Sequence, residues 1–509
     1  MSANRPAQVR PLTFGEIVVL LLVAWALWAT CAQAQLVPIK TAPIATGSQF
    51  QIHPAQTRGM GGLSLAVDDT LGDPFVNPAT ASRLNGTWAY SAPSHYTITG
   101  PDGGARTVSV GALVDRGSWF GGVGGALQHL NPGRRLPQVQ PTLSTTSTTT
   151  RTVRPLREVS AENQYLTLLG GRHLSEQWAV AGMIQWAGLE AMDGVDLLYP
   201  GNRGLRQDGH QLDLRVGILR EWNGQSLRAL LVRHRVDMSH NVRTVDLVEL
   251  PGEEEPGRTV RWKRYDDRTN TWGLHLEYER PLGTPGWRLG AVLTGNRKSH
   301  PKIPNYDLMN IPRDPGTSWA SRVGLGVAHS DPHTTVGAEL LFAPIVSETW
   351  ANAKEPLQQP DGGVIAPGER TVVNDFRFAN TILRTGLRHR KAWWELQAGI
   401  EVRTTRYWLT QNDRVEKTTR HQYEEWSEWT LTWGGGVEWG ALTLRYTGHL
   451  TLGTGRPGVV SRGVAPNLET KNFAASDFVV APKGPLAVEE NRVFTHQVSL
   501  IIPVRGGAE

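Results

Sequence analysis

The sequence predicts an all-β chain folded as an antiparallel barrel of 14 to 16 strands. Three observations predict it: side chains alternate with a period of two, connections alternate between long and short, and tryptophans lie beside the short connections. Its 55 Gly, 32 Pro and 19 Trp among 509 residues are typical of an all-β chain with many turns. The mean hydropathy of −0.32 excludes a polytopic helical membrane protein, which needs several apolar runs of roughly 20 residues.

The alternation is clearest in residues 442–451, where Leu442, Leu444 and Leu450 share one face and Thr443 and Arg445 share the other. Successive side chains of a strand point to opposite faces, so this segment has an apolar face and a polar face. A soluble sandwich buries the apolar face, whereas a membrane barrel turns it toward lipid. Connection lengths distinguish the two architectures.

Short and long connections alternate along the chain beyond residue 87. This pattern is typical of outer-membrane barrels, whose periplasmic turns are tight and whose outer loops are extended. Short connections are expected at 116–117, 175–176, 223–225, 282–285, 330–332, 390–391 and 439–440, and long ones at 131–162, 191–207, 243–267, 299–316, 350–371 and 454–490. The predicted strands lie near 87–98, 106–116, 118–130, 163–174, 177–190, 208–222, 226–242, 268–280, 286–298, 317–329, 333–349, 372–389, 392–411, 419–438, 440–453 and 491–504.

Tryptophans near the short connections predict an aromatic girdle at one membrane interface. Indole rings favour the headgroup level because the ring is apolar and its N–H is polar. Packing in an ordinary core would instead scatter tryptophans along the strands. The girdle residues are Trp119, Trp178, Trp222, Trp287, Trp393 and Trp439.

Residues 1–34 have the features of an export signal. Arg5 and Arg10 precede an apolar stretch at 17–29, and Ala32-Gln33-Ala34 is a small-x-small cleavage site. We therefore predict cleavage after Ala34, so that amino-terminal sequencing of the mature protein begins at Gln35; a sequence beginning at Met1 would contradict this. The single cysteine, Cys31, lies inside the signal, so the mature chain contains no disulfide and no thiolate metal site.

Residues 35–86 lack strand alternation and carry a different set of motifs. The motif residues are Gly59, Gly61, Gly62, Asp68, Asp69, Asn77, Pro78 and Ala79. A Gly-Met-Gly-Gly stretch, an Asp pair and an Asn-Pro-Ala sequence in this order, just after an export signal, resemble the N-terminal region of FadL-type outer-membrane transporters and of the related PorV-type proteins. The resemblance in motifs covers residues 58–86.

The resemblance implies that residues 35–86 form a hatch inside the barrel, which has 14 strands in that family. It also implies passive diffusion of hydrophobic compounds such as long-chain fatty acids across the outer membrane. In the PorV branch it implies instead the handling of secreted proteins at the cell surface. The chain ends without a terminal aromatic residue, which is atypical for a substrate of the barrel-assembly machinery.

The motif residues are chemically suited to a confined lumen. Glycines at 59, 61 and 62 permit close approach of backbones, and Pro78 favours a bend at Asn77, whose side chain can cap backbone groups. Asp68 and Asp69 either bind a cation or, as we expect, cap this segment and pair with arginines of the lumen. Inward Arg215 and Arg445 either attract anions or pair with lumen carboxylates such as Asp213 and Glu277.

No motif for catalysis, for a metal or for a cofactor is recognisable, so we expect a protein that is not an enzyme. The formal net charge of +5 and the absence of a long basic run do not indicate a nucleic-acid partner. The sequence thus predicts a signal peptide at 1–34, a hatch at 35–86, an outer-membrane barrel at 87–504 and a tail at 505–509.

Two functions remain open at this point: passive uptake of a hydrophobic small molecule, and a role in protein secretion or surface assembly. An open porin for polar solutes ranks third because residues 35–86 would have no role in it. The expected partners are outer-membrane lipids, the barrel-assembly machinery and a hydrophobic ligand, with secreted proteins replacing the ligand in the second function.

Overall fold

The computed structural model describes residues 45, 47–99, 103–131, 161–193, 204–248, 257–299, 316–353, 355–457 and 488–504. The signal peptide with its cleavage site at Ala34, residues 35–44 and the tail at 505–509 lie outside the described residues. Within the described part, nearly all regular structure is antiparallel β-sheet.

The sheet has 17 strands that follow one another in chain order around a closed wall, each hydrogen-bonded to its neighbours. A two-stranded ribbon, β13 (Leu357–Gln358) and β14 (Val364–Ile365), lies apart from the wall. The strands are β1 (Thr87–Ser91), β2 (Ser94–Ile98), β3 (Gly104–Arg116), β4 (Trp119–Asn131), β5 (Ala161–Ser175), β6 (Trp178–Leu189), β7 (Gly204–Trp222), β8 (Gln225–Val248), β9 (Gly257–Pro281), β10 (Trp287–Ser299), β11 (Gly316–Ser330), β12 (Thr334–Asn352), β13 (Leu357–Gln358), β14 (Val364–Ile365), β15 (Arg370–Lys391), β16 (Trp394–Asp413), β17 (Thr418–Trp439), β18 (Leu442–Pro457) and β19 (Val488–Val504).

Strands β1 and β2 together form one position of the wall, interrupted at Ala92 and Pro93. Both pair with β19 on one side and with β3 on the other, which closes the barrel between the first and last strands. Proline lacks the N–H group that a ladder requires, which explains the break at Pro93. The wall therefore has 16 strand positions, and the prediction of a closed antiparallel barrel of 14 to 16 strands is confirmed.

The two faces of the wall differ in polarity as in a transmembrane barrel. Exposed leucines, valines and isoleucines cover the outside, among them Val108, Leu127, Leu168, Ile184, Val216, Leu231, Leu293, Val323, Leu340, Leu383 and Val498. Buried polar side chains line the inside, among them Gln128, Asn163, Asp213, Arg228, Glu339, Asn374, Thr432, Arg445 and Gln497. The apolar face is turned outward, as predicted, so the barrel is built to sit in lipid.

All seven short connections lie at the same end of the barrel, together with the start of β1 and the end of β19. One predicted turn was misplaced by two residues: β15 continues through Lys391, and the turn is formed by Ala392 and Trp393. Ala392 has a φ of 48°, a left-handed conformation that allows the chain to reverse. The turn therefore lies at Ala392 and not at Arg390 and Lys391, where it was predicted.

The predicted long connection at 243–267 is also wrong in extent. Strand β8 continues to Val248 and β9 begins at Gly257, so the ladder takes up most of this segment. Val245 pairs opposite Val260, and residues of this type favour an extended ladder even outside lipid. A second departure lies in 350–371, where β13 and β14 form a small hairpin.

In the part of the chain that the structure describes, the helices are short and precede β1. Two 3₁₀ turns span Arg58–Met60 and Pro78–Arg83, and one α-helical turn, α1, spans Asp73–Val76. No helix in the described part of the chain has both the length and the apolar character needed to cross a membrane.

The girdle tryptophans lie next to the short turns. Trp119, Trp178 and Trp287 begin β4, β6 and β10, whereas Trp222 and Trp439 end β7 and β17. Trp393, in the turn before β16, is 62% exposed and Trp439 is 83% exposed. Arginines stack on three of the rings: Arg172 lies 5.3 Å from the centroid of Trp119, and Arg220 lies 5.0 Å and 4.6 Å from those of Trp178 and Trp222. That these rings mark a membrane interface stays a prediction.

The orientation of the barrel predicts which cysteine variants react on intact cells. With the short turns in the periplasm, a membrane-impermeant thiol reagent should label cysteines introduced at Ser147 and Gly252 but not at Gly224 or Asp331. Gly224 and Asp331 lie in short turns, whereas Ser147 lies between β4 and β5 and Gly252 between β8 and β9, both outside the described residues. Labelling with the opposite pattern would reverse the topology.

Candidate functional site

Residues 47–86, hereafter the N-terminal segment, contact the inner face of the wall on widely separated strands. Arg58 donates to the Oε1 atom of Gln497 on β19 at 2.5 Å. The backbone N–H of Ser64 donates to Glu339 on β12 at 2.9 Å. The N-terminal segment is thus held by inward-facing side chains of strands that are not neighbours in the wall.

Glycines allow the N-terminal segment to approach the wall closely at residues 59–61. A Cβ atom at Gly386 would lie 2.2 Å from the Met60 carbonyl oxygen, and one at Gly399 would lie 2.2 Å from the Gly61 nitrogen. Gly61 itself has a φ of 75°, a left-handed conformation that favours glycine. Thr432 binds both sides of this turn, accepting from the Gly61 N–H at 2.8 Å and donating to the Gly59 carbonyl at 2.9 Å. A Cβ at Gly62 meets no atom within 4 Å, so Gly62 makes no comparable approach.

The Asn77-Pro78-Ala79 motif forms a bend against β7 and β8. Asn77 ends α1 and precedes the second 3₁₀ turn, where its Oδ1 atom accepts from the Ala79 N–H at 3.1 Å. Its Nδ2 atom donates to the Ala229 carbonyl of β8 at 3.1 Å. A Cβ at Gly217 of β7 would lie 1.9 Å from the Asn77 Oδ1 atom, so only glycine leaves room for this side chain.

Asp69 organises the N-terminal segment from within. Its Oδ2 atom accepts from the backbone N–H groups of Gln56 and Thr57 at 2.7 and 3.1 Å, and its Oδ1 atom accepts from those of Leu71 and Gly72 at 3.2 and 2.7 Å. Four backbone donors thus converge on one carboxylate, which satisfies groups that would otherwise be unpaired in a buried loop.

Asp68 enters a charged cluster that joins the N-terminal segment to β7–β10. The guanidinium of Arg228, which is 4% exposed, lies 3.2 Å from Asp68, 3.3 Å from Asp73 and 2.7 Å from Glu279. Arg83 also belongs to this set, since it bridges Asp68 at 2.7 Å and Glu221 at 3.0 Å. Glu277 and Arg288 complete the set, which we call the charge cluster.

Protonation within the N-terminal segment follows from burial and from these partners. Burial disfavours the charged form of Asp68, but Arg83, Arg228 and Arg288 outweigh it and hold the pKa below its ordinary value. Burial lowers the pKa of His53 to about 3, assisted by Arg58 and Arg215, so this ring is neutral at physiological pH. His53 stacks on Phe75 with centroids 3.7 Å apart.

A second polar group fastens the N-terminal segment to β12, β15 and β16. Glu339 accepts from the backbone N–H groups of Ser64 and Leu65, both at 2.9 Å, and its other oxygen lies 2.8 Å from Arg384. Arg384 also donates to the Gly62 carbonyl at 3.1 Å and pairs with Glu401 at 2.6 Å.

An apolar cluster occupies the lumen farther toward the end that carries the long connections. Four aromatic rings stack in series: centroids are 5.9 Å apart for Phe376 and Phe378, 5.8 Å for Phe378 and Tyr407, and 5.3 Å for Tyr407 and Trp426. We call the buried group the apolar lumen cluster; it comprises Val242, Ala320, Ile345, Phe376, Phe378, Tyr407 and Leu409.

Arg322 lies between the apolar lumen cluster and the N-terminal segment. On β11 it is two residues from Ala320, which belongs to the cluster, and four from Gly326, whose Cβ would lie 2.6 Å from Leu65. Its Nε atom is buried without a hydrogen-bond partner, and within the described part of the chain it forms no ion pair. The charged groups that act on it are Arg384, Arg403, Glu339 and Glu401. The three arginines exceed the two glutamates by one positive charge.

Sequence reasoning did not find the apolar lumen cluster or Arg322. Phe376 and Phe378 point inward, opposite to the rule that polar side chains line a barrel lumen. Apolar residues two positions apart, Phe376 with Phe378 and Tyr407 with Leu409, could have indicated the cluster. This spacing places their side chains on the face of the strand that is expected to be polar. Arg215 does pair with Asp213, at 2.9 Å, but Arg445 pairs with Glu395, at 3.0 Å.

Among the described residues, no group of three or more His, Cys, Asp or Glu side chains is arranged to hold a metal ion. Asp68 and Asp69 in particular are engaged by arginines and by backbone N–H groups. Such contacts are expected when the N-terminal segment is bound to the barrel wall and its own loop is stabilised.

A closed 16-position antiparallel barrel with an apolar outer face defines this chain as a transmembrane β-barrel of the outer-membrane type. No family model matches the sequence, and no curated protein matches it.

Solved structures similar to the chain include a FadL homologue and a toluene transporter. A FadL homologue from Pseudomonas aeruginosa matches with a TM-score of 0.42 at 10% identity. The match covers 90% of this chain and 100% of the homologue. The toluene transporter TodX from Pseudomonas putida has a TM-score of 0.40 at 11% identity, covering 92% and 100%. A bacterial polysaccharide outer-membrane secretin has a TM-score of 0.38 at 8% identity, covering 83% and 99%.

Proposed function

We propose that this protein mediates passive transport of a hydrophobic small molecule across the outer membrane, with the N-terminal segment acting as a hatch. The observation that carries the proposal is the apolar lumen cluster, in which aromatic and aliphatic side chains of several strands meet inside the barrel. Buried aromatic and aliphatic side chains that converge from several strands are typical of a site for an apolar ligand.

The chemistry around Arg322 narrows the ligand to an amphipathic acid similar to a fatty acid. A hydrocarbon tail would enter by parting the stacked rings of Phe376, Phe378 and Tyr407, which are 0%, 2% and 1% exposed. Arg322, which forms no ion pair within the described residues, is available to a carboxylate at the end of that tail. A charge-assisted hydrogen bond from a half-buried guanidinium is stronger than a neutral one.

Binding of two matched lipids tests this proposal. We expect the purified protein to bind oleate, and substitution Arg322→Gln to weaken oleate binding by about 10- to 100-fold, because hydrogen bonds to charged groups contribute about 1.5–3 kcal/mol. Oleyl alcohol, which has the same tail without the carboxylate, should bind the variant and the wild type equally. Tritiated ligands and equilibrium dialysis in a neutral detergent would measure both affinities.

Two controls complete this test. Arg264→Gln alters an arginine that is 65% exposed and paired with Asp266, so it should leave both affinities unchanged. Phe378→Ser should weaken both ligands alike, because it removes tail contacts without altering the charge at Arg322. Failure of the wild type to bind either lipid would remove the transport proposal.

A role in secretion or surface assembly is the second candidate, and the long strands favour it. Strands β8 and β9 have 24 and 25 residues, more than twice the roughly 10 residues that span a bilayer, so their hairpin extends far beyond the lipid. Such a ladder offers a surface to a secreted protein. Native mass spectrometry of the detergent-extracted protein distinguishes the two functions, since a bound fatty acid supports transport and a bound protein supports surface assembly.

A further inference from the structure

Two arginines and two tryptophans alternate along one row on the outer face of β8–β11. Arg233 pairs opposite Trp272, Trp272 opposite Arg297, and Arg297 opposite Trp319. Paired residues of adjacent strands share a face. Toward the short turns, the exposed Leu231 follows Arg233 on the outer face of β8, and the exposed Leu293 lies beyond Gly295 on that of β10. We call these four residues the Arg–Trp row.

The aromatic rings hold both guanidinium groups in place. Arg233 lies 5.0 Å from the centroid of Trp272, and Arg297 lies 5.4 Å from that of Trp319. Arg233 also donates to the Asn270 Oδ1 atom at 3.3 Å. Within the described residues neither arginine has a carboxylate partner, so their positive charges are not neutralised by the chain. Neighbouring strands are about 4.8 Å apart, which places the two arginines about 10 Å from each other.

The row lies at the edge of the apolar band that is remote from the short turns. On β10, Trp287 beside the turn and Arg297 are ten residues apart, with Leu289, Ala291 and Leu293 facing outward between them. Ten residues span about 33 Å along a strand, or about 25 Å along the membrane normal at a tilt of about 40°, which is the height of an outer-membrane apolar band. With the short turns in the periplasm, the row is level with the headgroups of the outer leaflet.

We infer that the Arg–Trp row binds the phosphate groups of a phosphorylated lipid of the outer leaflet. A molecule at this place meets guanidinium groups at headgroup level and leucines directly below, which match a phosphate headgroup with acyl chains. Arg406, another arginine on the outer surface, differs from those of the row because it pairs with Glu425 at 3.1 Å. Arg235 and Arg268, beside the row, share one carboxylate, Asp237, so the surroundings remain positive.

Binding of diphosphoryl lipid A to the full mature protein in a neutral detergent tests the inference. We expect native mass spectrometry to detect a bound lipid, and the double variant Arg233→Gln/Arg297→Gln to bind it about 30-fold more weakly, which corresponds to about 1 kcal/mol for each arginine near a headgroup. Arg406→Gln should bind as the wild type does. Equal binding by the double variant, or an equal loss in Arg406→Gln, would overturn the inference.

Two further measurements identify the chemistry and guard against a folding defect. Millimolar inorganic phosphate should not displace the lipid, because it lacks acyl chains; full displacement would mean that the row binds a free anion instead. With the wild type alone, raising the salt concentration to 0.5 M should weaken lipid binding, and a binding strength independent of salt would contradict an arginine–phosphate contact. These outcomes do not depend on the transport function.

Discussion

Deletion of residues 37–84 is expected to convert a barrel that conducts little current into an open channel. The N-terminal segment is held against β7, β8, β12, β15, β17 and β19 from within. A wall of 16 strands encloses an aqueous channel when nothing fills it. Single-channel recording in planar bilayers should therefore show low conductance for the intact protein and conductance well above that baseline for the deletion variant.

A point variant tests the same idea without removing the N-terminal segment. Gly399→Leu places a side chain where the Gly61 nitrogen lies, so it should displace the segment and raise the conductance. Gly170→Leu is the matched control, because a Cβ there meets no atom within 4 Å. Unchanged conductance in both the deletion variant and Gly399→Leu would mean that the segment does not obstruct the barrel, and the surface-assembly function would then be favoured over transport.

Substitution Arg228→Met is expected to give the largest loss of stability of any single change in the lumen. Arg228 is surrounded by Asp68, Asp73, Glu277 and Glu279, and both glutamates are buried. Removing one partner of a buried ion pair leaves uncompensated charge and costs about 3–5 kcal/mol. Urea unfolding of the refolded barrel, followed by tryptophan fluorescence, would measure the change in the free energy of unfolding.

The control for Arg228 is Arg264→Met. Arg264 and Asp266 are 65% and 69% exposed, and solvent-exposed pairs contribute at most about 1 kcal/mol. A loss at Arg228 no larger than the loss at Arg264 would show that the charge cluster does not stabilise the fold. Because Asp68 and Asp73 belong to the N-terminal segment, the Arg228 variant should also loosen this segment, which limited proteolysis would detect.

The wall was predictable from the sequence because lipid imposes a strict pattern on it. All 16 strand positions were found, since outward apolar and inward polar residues must alternate within the apolar band. The ends of β8 and β9 that are farthest from the short turns were not predicted. Strands that extend into water do not need to alternate apolar and polar residues, so these ends lack the pattern. The turn at Ala392 was misplaced because a left-handed alanine carries no sequence signal.

The lumen was predictable only in part. Asp68 and Asp69 were expected to cap the N-terminal segment or to pair with lumen arginines, and the structure shows one in each of these arrangements. The pairing of arginines with carboxylates depends on the stagger of the strands around the closed wall. The contact between Asp68 and Arg228, which are 160 residues apart, therefore cannot be recognised from the local sequence. The apolar lumen cluster was missed because its inward phenylalanines depart from the general pattern.

The glycine and threonine contacts of residues 59–61 have a consequence for the order of folding. Gly61 meets Thr432 and Arg58 meets Gln497, pairs that are 371 and 439 residues apart in the chain. The first part of the mature protein to be made therefore finds its binding surface only after the last strands have been delivered. Contacts of such long range form slowly. The amino-terminal residues must remain unattached until β19 joins β1, and their docking is then a late event that reports a correctly closed barrel.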